Sequence, residues 1–170
     1  MDLYSALGVA LGFLFGIVGH EYVTARVATA LGDRTPRMMG RLTLSPKAHV
    51  DPLGSLILPG VFVVAAMFSG LFPVMFGWGK RHSLSFVGLR NPKRDSILVA
   101  LSGPATTLVL TIAFGAALQS PTLGSAATSI LFSAMYVLLF LTVIELLPLP
   151  GRDGGRILQR FLSPSAAMKM

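Results

Sequence analysis

The chain has 170 residues, with 14 Lys+Arg against 7 Asp+Glu, and it is 53% hydrophobic but only 12% charged, about half the charge of a typical soluble domain. A mean hydropathy of +0.72 with abundant Gly and Pro is the profile of a polytopic membrane protein; it excludes a soluble enzyme, a disordered tail, a collagen-like fibre and a disulfide-stapled secreted domain. With no Cys there are no disulfides, thiolate ligands or Cys nucleophile, and the net charge of +7 lies in short loops between apolar runs, where it signals topology and contact with anionic lipid rather than nucleic acid.

Three charge-free stretches, Leu3–Gly19, Leu53–Gly79 and Ile97–Ile144, dominate the chain; a spanning helix needs about 20 predominantly apolar residues. The first continues as a helical pattern to about Leu31, where Gly32-Asp33 ends it. The loop that follows holds Arg34, Arg37, Arg41 and Lys47, and Arg41–Ser45 alternates polar and apolar like a half-buried strand. Leu53–Gly79 is too short for two full crossings, yet basic loops flank it on both sides, and the positive-inside rule places both in the cytoplasm. Pro59-Gly60 and Gly70 with Pro73 supply break points, so a re-entrant or shallow helical hairpin is preferred to a full span. The next loop carries Lys80, Arg81, Arg90, Lys93 and Arg94. Its piece His82–Val87 alternates as Arg41–Ser45 does, and the two pair as a small sheet or remain irregular amphipathic loops. Gln119–Ser125 divides the third stretch into two helices, and the tail after Pro150 is again basic. The expectation is an all-α polytopic membrane protein, one domain over residues 1–170. It has three or four transmembrane helices, a re-entrant or hairpin segment, a small cytoplasmic-face β element, an outside N-terminus and a cytoplasmic C-terminus.

In the first helix Gly8, Gly12, Gly16, His20, Thr24 and Ala28 repeat every four residues and share one face. Within lipid a small-residue stripe marks close helix packing, so His20 points into the bundle. Ionisable residues at membrane depth suggest function, here His20, Glu21 and Arg26; a buried Glu21–Arg26 pair is the plain alternative. His20-Glu21 matches the first half of H-E-x-x-H, in which two His bind zinc and the Glu activates water, but Thr24 holds the second ligand position. The other constellation runs from Glu145 to Arg156. Pro148 and Pro150 end the last helix, and Asp153 before two glycines reads as a side chain held out on a tight turn. The first and last helices end on the same side, so His20 and Asp153 can meet.

Taken in order, several segments are similar to the site-2 protease family of intramembrane zinc metalloproteases, in its short bacterial type. They are Gly19-His20-Glu21, Met39–Pro46, His49–Gly54, Phe76–Lys80, Leu89–Asp95, Leu101-Ser102-Gly103-Pro104 and Leu146–Leu158. The resemblance implies an integral protein of a bacterial cytoplasmic membrane that hydrolyses peptide bonds in transmembrane segments of membrane-protein substrates, as in regulated proteolysis. It implies His20 and Asp153 as zinc ligands and Glu21 as general base. Three residues of the cleft depart from the family: Thr24 replaces the second ligand His, Thr107 an Asn, and Glu145 an Asn. A neutral threonine hydroxyl is a poor zinc ligand, so zinc is expected to be weak or absent unless another group compensates. Glu145 either supplies a replacement carboxylate or pairs with Arg26 or Arg152. His49 and His82 read as interfacial loop residues. Two functions compete: a protease impaired by Thr24, and a non-catalytic protease-like protein that binds transmembrane segments or regulates a partner.

Overall fold

The computed structural model describes residues 1–69, 77–80 and 88–162. Helix α1 (Leu3–Ala30) is capped by the Asp2 carboxylate, which accepts from the Ser5 amide at 2.7 Å, and it ends before Gly32, whose φ of +115° disfavours other residues. Two single turns follow, α2 (Thr35–Met38) and α3 (Pro46–His49), with a proline at the second position of α2 and the first of α3. A π-helical turn over Pro52–Ile57 runs into α4 (Leu58–Ser69). Then come α5 (Pro92–Ala117), α6 (Ser125–Leu146) and the short α7 (Asp153–Gln159). Four helical segments are long and apolar enough to cross a membrane: Leu3–Ala30, Pro52–Ser69, Pro92–Ala117 and Ser125–Leu146.

Helices α1, α5 and α6 form the centre of the bundle, and α4 touches α1 more sparsely. The glycine stripe explains why α1 and α6 approach so closely. A Cβ on Gly12 would stand 2.6 Å from the Ala134 carbonyl oxygen, one on Gly8 would strike the Ile130 backbone, and one on Gly16 would meet Leu141 at 2.7 Å. Around this seam Val9, Phe13, Ile17, Val137 and Leu141 pack as the apolar core. Polarity is otherwise inverted relative to a soluble domain. Thr24, Thr107, Thr111, Ser133 and Thr142 are buried, whereas Phe68, Val109, Ile112, Phe132 and Val143 face outward, as expected where the surrounding solvent is lipid. The buried hydroxyls of Thr111 and Thr142 return to the carbonyls of Thr107 and Leu138, both at 2.8 Å.

Several expectations are corrected. Arg41–Ser45 is irregular, because Gly40 turns the chain with φ +67°, the Ser45 amide bonds the Thr43 hydroxyl, and Pro46 starts α3. Such local side-chain bonds compete with a strand ladder. His82–Val87 lies outside the described residues. Among the described residues the β pairing consists of an isolated antiparallel bridge between Val50 and Gly79. The expected break at Pro59-Gly60 is absent: Pro52–Ser69 runs on as helix, with Pro59 just past the π-helical turn, a geometry that spares a regular α-helical donor. The described residues thus give no separate re-entrant element, and Gly70 and Pro73 lie outside them. The flanks of the segment are nonetheless joined: the Trp78 amide donates to Gly54 O at 3.2 Å and the Lys80 amide to His49 O at 2.6 Å. Buried Arg41 ties the same place together, donating to Ala48 O at 2.6 Å and Lys80 O at 3.1 Å. His49 is fully buried and bonded to Thr43 O at 2.7 Å; it is a strut of this knot rather than an interfacial side chain.

Overpacking a close helix seam costs about 1–3 kcal/mol. Gly12→Leu is therefore expected to lower the thermal unfolding midpoint in detergent, and Gly12→Ala to do so less, while Val109→Leu on the outward face of α5 leaves it unchanged.

Candidate metal centre

His20, on the glycine face of α1, lies against α5 where Gly103 leaves room for it. A Cβ at position 103 would overlap the imidazole. Its Nε2 shares a hydrogen bond of 2.8 Å with Asp153 Oδ2, a contact that spans 133 residues of sequence. Asp153 is the first residue of α7, not part of an open turn. It gets there because the chain leaves α6 at Leu146, passes Pro148 and Pro150, and turns at Gly151 with φ +80°. Gly154 and Gly155 then press against the carbonyls of Leu146 and Leu149, where any side chain would collide. The pair of glycines is what lets α7 fold back under the end of α6 and present Asp153 to α1.

The surroundings are densely charged. The Asp153 side chain is 2% exposed, and its Oδ1 accepts from Arg156 Nη1 at 3.0 Å. Glu145, near the end of α6, forms an ion pair with Arg152, one of the two arginine partners considered for it, whereas Arg26 is exposed. Arg152 also donates to Gly77 O at 3.3 Å, so the segment after α4 is fastened to the site. Glu21 Oε1 stands 3.9 Å from His20 Nδ1 and lies against Gly79, where a Cβ would approach it to 3.2 Å. These residues, with Thr24 and Trp78, enclose a cavity of about 60 Å³, room for a few small molecules the size of water.

Ligand-type atoms of His20, Glu145 and Asp153 all lie within 4.8 Å of one another. Two donors bonded to one zinc at about 2.0–2.2 Å are at most about 4.4 Å apart, so small side-chain shifts would bring the three to a common centre. Thr24 is 1% exposed, and its hydroxyl is buried without a hydrogen-bond partner. Thr107 borders the adjoining part of the cleft with Gly77 and Glu145, but its hydroxyl is engaged: it donates to Pro104 O at 3.0 Å and is bonded to Thr142 Oγ1 at 2.7 Å. Position 107 therefore pins α5 to α6. Reading of the sequence placed Gly103, Trp78 and Arg156 within its motifs but gave none of them a role at the site. Arg156 carried a signal, being a basic residue three positions after Asp153 on what proves to be one helix.

The chain is similar to three zinc metalloprotease relatives. It is 31% identical over 162 residues to "Putative zinc metalloprotease YwhC" of Bacillus subtilis, which covers 89% of this chain and 67% of that protein. It is 31% identical over 160 residues to "Putative zinc metalloprotease Rip2" of Mycolicibacterium smegmatis, and 30% identical over 163 residues to the Rip2 of Mycobacterium tuberculosis; each match covers 92% of this chain and 58% of the relative. The chain thus spans roughly three fifths to two thirds of these proteins' lengths. No family model matches the chain, and no solved structure does.

Gly103→Ala forces the His20 ring from its seat and is expected to cost about 1–3 kcal/mol of stability, read from unfolding in detergent. Gly60→Ala, in α4 with open space around it, is expected to be neutral or to stabilise by up to about 1 kcal/mol.

Proposed function

The chain belongs to the site-2 protease family of zinc metalloproteases, and we propose that it is an intramembrane protease that hydrolyses peptide bonds in transmembrane segments of other membrane proteins, slowed by Thr24. The observation that carries this reading is the 2.8 Å contact of His20 with Asp153 beside Glu21, at the inner ends of helices apolar enough to cross a membrane. The donor set suits zinc: an imidazole and a carboxylate in contact, Arg156 orienting that carboxylate from outside, and a buried Thr24 hydroxyl left without a partner. His20 and Asp153 would hold the ion, which when bound supplies a Lewis acid and renders water acidic enough to lose a proton near neutral pH. Glu21, on the same turn as His20, is placed to take that proton at its carboxylate and return it to the leaving amine. The Gly77–Lys80 segment, bonded to the start of the π-helical turn, walls one side of the cleft and limits entry of bulk water. Residue 24 donates no imidazole, so hydrolysis proceeds more slowly than it would with histidine there.

The reading includes orientation. The described parts of both basic loops meet at the end of the bundle where α1 stops, through Lys80–His49 and Arg90–Leu31 backbone bonds. This supports placing both loops and the C-terminus in the cytoplasm and the N-terminus outside, in a bacterial cytoplasmic membrane.

Two measurements test the proposal. Cysteines introduced at Ser45 and Arg90 should be labelled from the cytoplasmic side alone and one at Ser120 from the outside alone; opposite labelling of the first two would refute the orientation. In bacteria co-expressing single-span reporter proteins, the native chain should release reporter fragments slowly, Glu21→Gln should release none, and Thr24→His should release more than the native chain. A native chain that retains reporters yet matches Glu21→Gln in releasing nothing would establish instead a non-catalytic binder of transmembrane segments.

A further inference from the structure

We propose that Glu145 is the third cation-binding side chain of this centre, an oxygen donor in place of the imidazole that residue 24 does not supply, so that His20, Asp153 and Glu145 hold one divalent cation of the zinc type. The inference rests on the reading of the centre as a metal site and adds to it which residue completes the site.

Three observations support it. First, a carboxylate oxygen of Glu145 is within 4.8 Å of the ligand atoms of both His20 and Asp153, so all three sit around one point although they come from α1, α6 and α7. Second, the Thr24 hydroxyl, 99% buried and bordering the same cavity, has no hydrogen-bond partner; a buried hydroxyl in that state is costly, and a water held by a cation would satisfy it. Third, each arginine is bonded to one oxygen of its carboxylate, Arg156 to Asp153 Oδ1 and Arg152 to Glu145 Oε1. That is the arrangement of outer groups that orient carboxylate ligands. For Asp153 the second oxygen is the one that meets His20. Arg152 is itself steadied by Gly77 O, so Glu145 is held in place before any cation arrives. One imidazole with two carboxylates makes a harder donor set than two imidazoles with one, but zinc and cobalt(II) both accept it.

The test uses the full chain purified in detergent. Zinc retained after dialysis is measured by atomic emission. Cobalt(II) titration is followed through quenching of Trp78, the sole tryptophan of the chain and a wall of the cavity. The native chain should retain one zinc and show saturable quenching. Glu145→Gln should weaken cobalt binding by more than about tenfold, the lower end of what losing even an outer group costs, and adding Thr24→His to that variant should restore it. Because Glu145→Gln leaves Arg152 without its carboxylate, Glu145→Gln/Arg152→Gln serves as the charge-balanced variant, and it should show the same loss while unfolding as cooperatively as the native chain. If the native chain holds zinc and the charge-balanced variant holds it equally well, Glu145 is not a ligand and the inference falls, leaving the His20–Asp153 reading intact. If the native chain binds neither zinc nor cobalt, both fall together.

Discussion

Everything at the site depends on how closely α1 and α6 approach. Their seam is backbone against backbone at Gly8–Ile130 and Gly12–Ala134, with no space for even a methyl group. Because the two helices run side by side in the same direction, the spacing set at Gly8 and Gly12 is carried along to the turn that holds His20 and to the end of α6 that holds Glu145. The fold-back of α7, made by Gly151, Gly154 and Gly155, then works over a short distance. Larger residues in the stripe would separate His20 from Asp153 without touching either.

In lipid, apolar side chains gain little by leaving their surroundings for the protein interior, so association rests on close van der Waals fit and on internal hydrogen bonds. The inverted polarity of the bundle follows from this. Hydroxyls at Thr107, Thr111 and Thr142 sit inside because each finds a carbonyl or another hydroxyl, and the long apolar side chains of α4, α5 and α6 turn outward. The loops at the end of the bundle where α1 stops use a different glue, in which Arg41 and His49 are buried on backbone carbonyls.

This division explains what could be read from the sequence. Helix-scale features were legible: the four apolar segments, the end of α1 near Leu31, the division of the long apolar run at 119–125, and the four-residue stripe that aims His20 inward. All of these depend on periodicity and hydropathy along one segment. The meeting of His20 with Asp153 was legible too, because it needs only the parity of crossings. Features set by contacts between segments were not. Arg41–Ser45 alternates like a strand, but whether it pairs depends on Gly40, Pro46 and the distant carbonyl of Lys80. Asp153-Gly154-Gly155 looks like a turn because two glycines disfavour helix, and only the carbonyls of Leu146 and Leu149 pressing on them show why helix forms there without side chains. The seat of the His20 ring on Gly103 is likewise invisible without knowing that α5 passes behind it.

The carboxylates of the chain make the last point. There are seven. Four serve backbone amides at the starts of elements: Asp2 accepts from Ser5, Asp33 from Thr35, Asp51 from Leu53 and Gly54, and Asp95 from Asn91. These roles are local, each within four residues, and each satisfies donors that a helix start leaves open. The other three, Glu21, Glu145 and Asp153, border one cavity although they come from three different helices. A chain that carries acidic side chains so sparingly does not gather three of them at membrane depth for solubility or for helix capping. Desolvating carboxylates is expensive unless positive charge meets them, and Arg152 meets Glu145 while Arg156 meets Asp153. These contacts hold Asp153 against His20 and Glu145 against Arg152, so that three carboxylates and an imidazole converge on one place although they lie up to 133 residues apart in sequence.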